Sequence, residues 1–279
     1  MASIILILFC IFLCTLLVIS SILNYVKQIT ILDTRSCLHK NGYIVKHNCV
    51  NSSTIYHIQL LWNQERYKDI YDLIRSDKEL NNFIYSYLSR DFVFMDYIMF
   101  LENSVLHTCH RDNNAKRFNN LKHRSYTMLL YIDDMKNCLD IVPDSHYTLD
   151  NGIYSHDITH QFLCDSGSAI LFDASLVHSG SLENNNGKTR RIQLKITHKN
   201  DIEALSYYDG YHKIINSPNT NSNTSKWIQK RISCTLPILA DITQGNNRNY
   251  VKGNMSLWQK LFSKIAYSKS NYYDLQDVF

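Results

Sequence analysis

The longest apolar run of the chain is residues 3–26, which carry no charged side chain. A helix needs about 20 apolar residues to cross the hydrocarbon core of a bilayer, so this run is long enough. A cleavable signal peptide has a shorter apolar core, of roughly 7–15 residues, followed by small residues at its cleavage site. The pattern therefore predicts a retained transmembrane anchor over residues 1–28.

Helical periodicity follows in residues 54–90, where apolar residues recur at three- and four-residue spacing. This spacing is typical of helices that bury one face. The recurring positions include Ile55, Ile58, Leu61, Ile70, Leu73, Ile74, Leu80 and Ile84. We predict a helical support region over residues 29–90.

From Phe92 the pattern changes to short apolar or alternating runs separated by polar turns, each a candidate strand. The runs are residues 92–100, 125–133, 138–142, 169–173 and 190–197. Helices followed by a row of short strands are typical of a sandwich or barrel with helices on one side. We predict a mainly β core over residues 91–200 and a C-terminal extension over 201–279, in which 256–267 have helical period.

Composition and charge alter this picture little. The chain has 279 residues, 45% hydrophobic and 19% charged, which is ordinary for a protein that buries a core. Its formal net charge of +4 is too small to indicate a nucleic-acid partner. Basic residues after the anchor favour a cytoplasmic domain, whereas three N-glycosylation sequons would suit a lumenal one, so the side of the membrane stays open. The sequons are at Asn51, Asn223 and Asn254.

Six of the eight cysteines lie outside the anchor, and none forms a Cys-x-x-Cys pair. This spacing argues against a zinc ribbon. Cys37 and Cys49 could pair as a disulfide if the domain is lumenal. Cys138 and Cys164 lie in apolar, strand-like runs, and we interpret them as buried residues.

The polar stretch 107–113 concentrates candidate metal ligands. His110 and Asp112 are two positions apart, so on a strand both side chains point the same way. A third ligand would complete a 2-His-1-carboxylate triad, which leaves open positions and is the arrangement of non-haem Fe(II) oxygenases. His178, just after the apolar run 169–173, is the candidate for that third position.

Arg190 heads the next strand-like run and shares its parity with Ile192, Leu194 and Ile196. We expect these apolar residues to face the barrel interior, which would place Arg190 inside and Arg191 in solvent. A buried guanidinium needs a charged partner, and the carboxylate of a cosubstrate would serve.

The order His110, Asp112, His178 and then Arg190 resembles the Fe(II)/2-oxoglutarate-dependent oxygenases, which have a double-stranded β-helix, or jelly-roll, core. The resemblance implies that the first three residues hold Fe(II) and that Arg190 binds the distal carboxylate of 2-oxoglutarate. Ascorbate is a candidate auxiliary reductant. The implied reaction converts 2-oxoglutarate and O₂ to succinate and CO₂ while a substrate C–H bond is hydroxylated.

Two branches of that superfamily are similar to this chain. Arg124, Thr127 and Tyr131 match the R-x-x-T-x-x-x-Y strand of the prolyl-hydroxylase branch, which implies that Tyr131 hydrogen-bonds the cosubstrate. Residues 139–147, LDIVPDSHY, look like the Pro-Gly-Ser-His segment of the phytanoyl-CoA-dioxygenase branch, with Asp144 in place of the glycine. We expect a membrane-anchored hydroxylase of a protein side chain, of prolyl type. The alternative is a lipid or small-molecule substrate.

A protein of another class would also fit the fold. A catalytically silent jelly-roll could act as a binding protein of a membrane or virion. A nucleic-acid demethylase fits poorly, because the net charge is weak and an anchor is predicted. The expected partners are therefore a membrane and a protein or small-molecule substrate, with the oligomeric state left open.

Overall fold

The computed structural model describes most of the chain between residues 38 and 237. The described ranges are 38–103, 106–135, 138–147, 160–161, 164–182, 189–216, 221–237 and 276–279, with single positions at 11, 12, 15, 256, 257, 260 and 261. The predicted anchor at 3–26 and the helical pattern at 256–267 lie outside these residues, apart from the single positions. Within the described part, no helix is long and apolar enough to cross a membrane.

Helices occupy the region where periodicity predicts them. Asn51 caps the second helix by accepting a hydrogen bond from the backbone N–H of Thr54 at 2.9 Å, and Asp77 caps the fourth by accepting one from Leu80 at 2.8 Å. Such caps satisfy the backbone donors left over at a helix start. The helices are α1 (Leu38–Asn41), α2 (Ser52–Asn63), α3 (Tyr67–Ser76), α4 (Lys78–Tyr87), α5 (Lys116–Asn119) and α6 (Asn223–Thr235), with 3₁₀ turns at Lys199–Asp201 and Glu203–Tyr208.

In the described part of the chain, ten strands form two sheets. The large sheet has the order β1-β6-β3-β8-β2-β9-β10 and the small sheet the order β5-β4-β7. Neighbouring strands are antiparallel, except that β2 and β9 are parallel. The strands are β1 (Tyr43–Lys46), β2 (Phe92–Glu102), β3 (Tyr126–Tyr131), β4 (Asp140–Ile141), β5 (His160–Gln161), β6 (Ala169–Asp173), β7 (His178–Ser179), β8 (Arg191–His198), β9 (Tyr211–Asn216) and β10 (Gln276–Asp277).

The two faces of the large sheet have different partners. One face packs on α2, α3 and α4 through an apolar core that includes Ile58, Ile98 and Leu130. The other face carries Tyr131 and contributes to a second core with Ile141 of the small sheet. The two sheets therefore enclose an interior while helices cover the outside, which confirms the prediction of a mainly β, jelly-roll core with flanking N-terminal helices.

Strand β8 faces the opposite way from our expectation. Its apolar positions belong to the core against the helices. The alternate positions, beginning with Arg191 opposite Tyr131 of β3, therefore face the interior. The prediction that Arg190 points inward and Arg191 into solvent is wrong. We assumed that the apolar face of β8 points into the interior. In the structure these apolar residues pack between the sheet and its helices, while polar side chains line part of the interior.

Helix α6 packs against the small sheet and is tied there by a disulfide between Cys109 and Cys234, with Cα atoms 4.9 Å apart. The hydroxyl of Ser233 accepts a hydrogen bond from the backbone N–H of Cys109 at 2.8 Å. The ammonium of Lys230 forms a buried ion pair with Asp140 of β4. These contacts connect the C-terminal part of the chain to the residue that directly precedes His110.

Candidate metal centre

His110, Asp112 and His178 come together in the structure. His110 and His178 form an isolated antiparallel bridge, in which their backbones exchange hydrogen bonds of 2.9 and 3.0 Å. The backbone N–H of Asp112 donates to the carbonyl of Ala174 at 2.9 Å, which positions the carboxylate beside both rings. One ligand atom from each of the three side chains lies within 4.8 Å of the other two.

Both imidazoles present Nε2 to the same carboxylate oxygen. Nδ1 of His110 donates to the carbonyl of Thr108 at 2.9 Å, and Nδ1 of His178 donates to that of Leu176 at 3.0 Å. These bonds select the tautomer in which Nε2 carries the lone pair and is available to a metal. The two Nε2 atoms lie 3.9 and 3.6 Å, respectively, from Oδ1 of Asp112.

The other oxygen of Asp112, Oδ2, is held by polar side chains of the interior. The hydroxyl of Thr127 donates to Oδ2, and Nε2 of Gln193 lies 3.5 Å from it. Nζ of Lys195 lies 3.7 Å away and is itself bonded to Oδ1 of Asn114 at 2.6 Å. This division of contacts fixes the carboxylate through Oδ2 and leaves Oδ1 directed at the two imidazoles.

Burial and neighbouring charges set the protonation of the cluster. Burial by itself would raise the pKa of Asp112, but the cation of Lys195 and the two imidazoles outweigh it and lower that pKa to about 2. Burial lowers the pKa of His110 to about 4, and the proximity of His178 acts in the same direction. Burial also lowers the pKa of His178. At neutral pH the cluster is therefore one carboxylate and two neutral imidazoles, the forms that bind a divalent cation.

Arg190 lies on the other side of the large sheet, against α2. Its guanidinium forms a two-pronged ion pair with Asp133, with Nη2 2.7 Å from Oδ1 and Nε 2.9 Å from Oδ2. Nη1 donates to Oδ1 of Asn63 at 3.3 Å, and the group lies 6.0 Å from the ring of Trp62. Arg190 therefore joins the sheet to the helical layer instead of facing the metal-ligand cluster.

Arg191 and Tyr131 lie in the interior, on adjacent strands. Tyr131 is 0% exposed, and within the described part of the chain its hydroxyl has no nitrogen or oxygen atom as a hydrogen-bond partner. Burial raises the pKa of Tyr131 well above its usual value, and the thiols of Cys138 and Cys164 beside it add to the effect. A buried phenol next to a guanidinium provides the donors that a carboxylate ligand requires. The resemblance to the prolyl-hydroxylase branch singled out Tyr131, whereas we expected Arg191 in solvent. That expectation failed because the apolar face of β8 packs against the helices and not into the interior.

Asp144 has a left-handed backbone, with φ of 63°. Glycine adopts this conformation most readily, and aspartate is among the few other residues that accept it. The Pro-Gly-Ser-His segment that this stretch resembles, in the phytanoyl-CoA-dioxygenase branch, has a glycine at the position of Asp144. The replacement of that glycine in this chain therefore does not imply a different course of the backbone.

The region of the chain that holds this cluster matches a known protein family. Residues 81–192 match the family model for phytanoyl-CoA dioxygenase (PhyH). The domain is an Fe(II)- and 2-oxoglutarate-dependent dioxygenase. The match confirms the resemblance to this superfamily and selects its phytanoyl-CoA-dioxygenase-like branch. The matched range contains all three residues of the cluster and ends within β8.

Solved structures of similar fold include HygX from Streptomyces hygroscopicus with nickel and 2-oxoglutarate bound. It is 11% identical, with a TM-score of 0.45, and the similarity covers 61% of this chain and 87% of HygX. EvdO2 from Micromonospora carbonacea var. aurantiaca, complexed with 2-oxoglutarate, is 11% identical with a TM-score of 0.45, over 60% of this chain and 90% of EvdO2. Such values carry no argument about function. No curated protein matches this chain.

Proposed function

We propose that this dioxygenase hydroxylates a C–H bond of a lipid or other small molecule, with Fe(II) held by His110, Asp112 and His178. The observation that supports the proposal most is the convergence of two neutral imidazoles and one ionised carboxylate in a buried site. This donor set is the facial triad of non-haem Fe(II) oxygenases. The bound iron and 2-oxoglutarate would supply the oxidising chemistry, and the protein supplies position and environment.

The side chains around the triad keep its members in place. Nδ1–H of each histidine is tied to a backbone carbonyl, so that neither ring can turn without losing a hydrogen bond. Thr127 and Lys195 hold Oδ2 of Asp112, which directs Oδ1 to the metal position. Partners of this kind around metal ligands commonly raise metal affinity by one to two powers of ten.

We assign the carboxylate of 2-oxoglutarate to Arg191 and Tyr131 instead of Arg190. Arg191 faces the interior on the same strand face as Lys195, whereas Arg190 is engaged by Asp133 on the opposite face. The guanidinium fork matches a carboxylate with two parallel hydrogen bonds, and the Tyr131 hydroxyl donates a further one. Each bond to a charged group contributes about 1.5–3 kcal/mol.

The family match favours a lipid or small molecule over a prolyl-type protein side chain as substrate. The anchor that we predict for residues 3–26 would hold the domain at a membrane surface, where a lipid substrate is concentrated. A protein side chain is the second candidate, supported by the match of Arg124, Thr127 and Tyr131 to the strand pattern of the prolyl-hydroxylase branch.

A turnover assay on the protein beginning at residue 30 tests the proposal. Succinate release would be measured with Fe(II) and 2-oxoglutarate, first alone and then with acyl-CoA thioesters, phospholipids or proline-containing peptides. Stimulation by a lipid or an acyl thioester supports the proposal, and stimulation by peptides alone supports the second candidate. Iron-loaded protein that releases no succinate with any of them would leave the silent jelly-roll as the better account.

A further inference from the structure

The small sheet and the interior behind it contain four of the described cysteines, arranged as two facing pairs. One pair, Cys109 and Cys234, is a disulfide. Disulfides persist where the surroundings oxidise thiols and are rare where glutathione and thioredoxin keep thiols reduced. A bond already present in the fold shows that this chain is compatible with oxidising surroundings.

The second pair, Cys138 and Cys164, faces inward and is reduced in the structure. The two Sγ atoms are 2.7 Å apart, and the residues are 4% and 1% exposed. An S–S bond is about 2.04 Å long, so these sulphur atoms lie closer to the bonded distance than to the separation of two unbonded sulphurs. The backbone of Cys164 is fixed beside the end of the segment that follows β3, because Met135 and Cys164 exchange hydrogen bonds of 2.8 and 3.0 Å.

We propose that Cys138 and Cys164 form a second disulfide, which fixes the wall of the 2-oxoglutarate pocket. In this step each thiol loses one hydrogen and the two sulphurs join. The two electrons and two protons pass to a disulfide of a thiol–disulfide oxidoreductase, which becomes a dithiol. The bond itself is independent of the proposed function, whereas its effect on the pocket rests on it.

The link to the pocket is Tyr131. Both thiols lie beside its side chain, and all three residues belong to the same buried cluster. A covalent bond between Cys138 and Cys164 would join the segment after β3 to the segment before β6, next to Tyr131. The Tyr131 hydroxyl is the group to which we assign a hydrogen bond with the cosubstrate, so the bond would preorganise this donor.

The bond should form during folding and then persist. The thiolate is the reactive form of cysteine, and the hydrogen bond between the Cys164 thiol and Cys138, together with burial, raises the pKa of the Cys164 thiol. Because both sulphurs are also buried, the pair reacts slowly with external reagents. Oxidation therefore has to precede closure of the core around the two sulphurs, and reductants would reach the finished bond only after local opening.

Peptide mapping tests the bond directly. Protein produced in an oxidising compartment, and purified without reductant, would be alkylated in denaturant, digested and analysed by mass spectrometry before and after reduction. We expect one linked peptide pair joining Cys138 to Cys164, a second joining Cys109 to Cys234, and alkylation of the buried free thiol of Cys49. Alkylation of Cys138 and Cys164 without prior reduction would overturn the proposal, whatever the state of the other pair.

Binding of 2-oxoglutarate tests the role in the pocket. With Zn(II) in place of iron, calorimetry would compare the native protein with the Cys138→Ser variant, and with Cys49→Ser as the matched control. We expect Cys138→Ser to weaken 2-oxoglutarate binding severalfold with an unchanged zinc content, and Cys49→Ser to leave binding unaltered. Equal binding by all three proteins would overturn the pocket role. Absence of succinate release from protein that carries the bond would count against the proposed function and not against the bond.

Discussion

The two arginines at the head of β8 face opposite sides of the sheet, so their replacement should separate stability from cosubstrate binding. Arg190→Met removes the guanidinium while an unbranched apolar stem remains to pack. Asp133 then loses its contacts of 2.7 and 2.9 Å to the guanidinium and keeps one backbone hydrogen bond, from the N–H of residue 190 at 2.9 Å. We expect this variant to be less stable and to bind 2-oxoglutarate normally.

The magnitude follows from the burial of the pair. Removing one partner of a buried ion pair costs about 3–5 kcal/mol, because the remaining charge stays desolvated. The Asp133 side chain is 15% exposed and keeps its backbone donor, so we expect about 2–3 kcal/mol by that principle. A domain of this size loses roughly 2–4 °C per kcal/mol, so the melting temperature should fall by about 4–12 °C.

Arg191→Met should show the opposite profile. The loss of two charge-assisted hydrogen bonds, each about 1.5–3 kcal/mol, corresponds to roughly two to four powers of ten in 2-oxoglutarate affinity. Differential scanning calorimetry and titration of Zn(II)-loaded protein with 2-oxoglutarate measure the two effects on the same samples. If Arg190→Met weakened 2-oxoglutarate binding more than Arg191→Met, the orientation of β8 described above would be refuted.

Three further predictions concern the triad, a buried carboxylate and the anchor. Asp112→Ala should abolish turnover and iron retention, measured by metal analysis, while Asp69→Ala, at an exposed ion pair, should change neither; equal iron in both variants would contradict the assignment. Although burial alone would raise the pKa of Asp201, two backbone N–H donors and His123 lower it. Its stabilising effect should therefore be complete above the unfolded pKa of about 4 and be lost as the pH falls through its lower folded value. Thermal unfolding of Asp201→Asn should then depend less on pH in this acid range than that of the native protein, and parallel curves would argue against it. Carbonate-washed membranes should retain the full chain, whereas the protein beginning at residue 31 should be soluble; full-length protein in the soluble fraction would disprove the anchor.

Local patterns were sufficient for part of the candidate site. His110 and Asp112 are two residues apart, so on extended backbone both side chains point the same way, and His178 follows an apolar strand. Neither inference needed the tertiary fold. The helices and central strands likewise follow from periodicity, because each buries one face against a neighbour.

Two features depended on contacts that are distant in sequence. The face of β8 that points inward is decided by where α2, α3 and α4 pack, and alternation alone gives two faces without saying which one is covered. Lys195, which shares its strand face with Arg191, therefore belonged to the face that we expected in solvent, although it is 1% exposed. The bond between Cys109 and Cys234 spans 125 residues, and no spacing rule reaches that far.

Lys195 has a consequence for the order in which this enzyme is assembled. Its Nζ lies 3.7 Å from the carboxylate of Asp112. Burial lowers the pKa of Lys195, but Asp112 acts in the opposite direction and favours the charged ammonium. A buried carboxylate without a counter-ion would make folding depend on the metal. Here Lys195 provides that compensation, so we expect the polypeptide to complete its fold first and to acquire iron as a separate, later event. Iron scarcity would then produce a reservoir of intact apoprotein that regains activity on iron supply, without new synthesis.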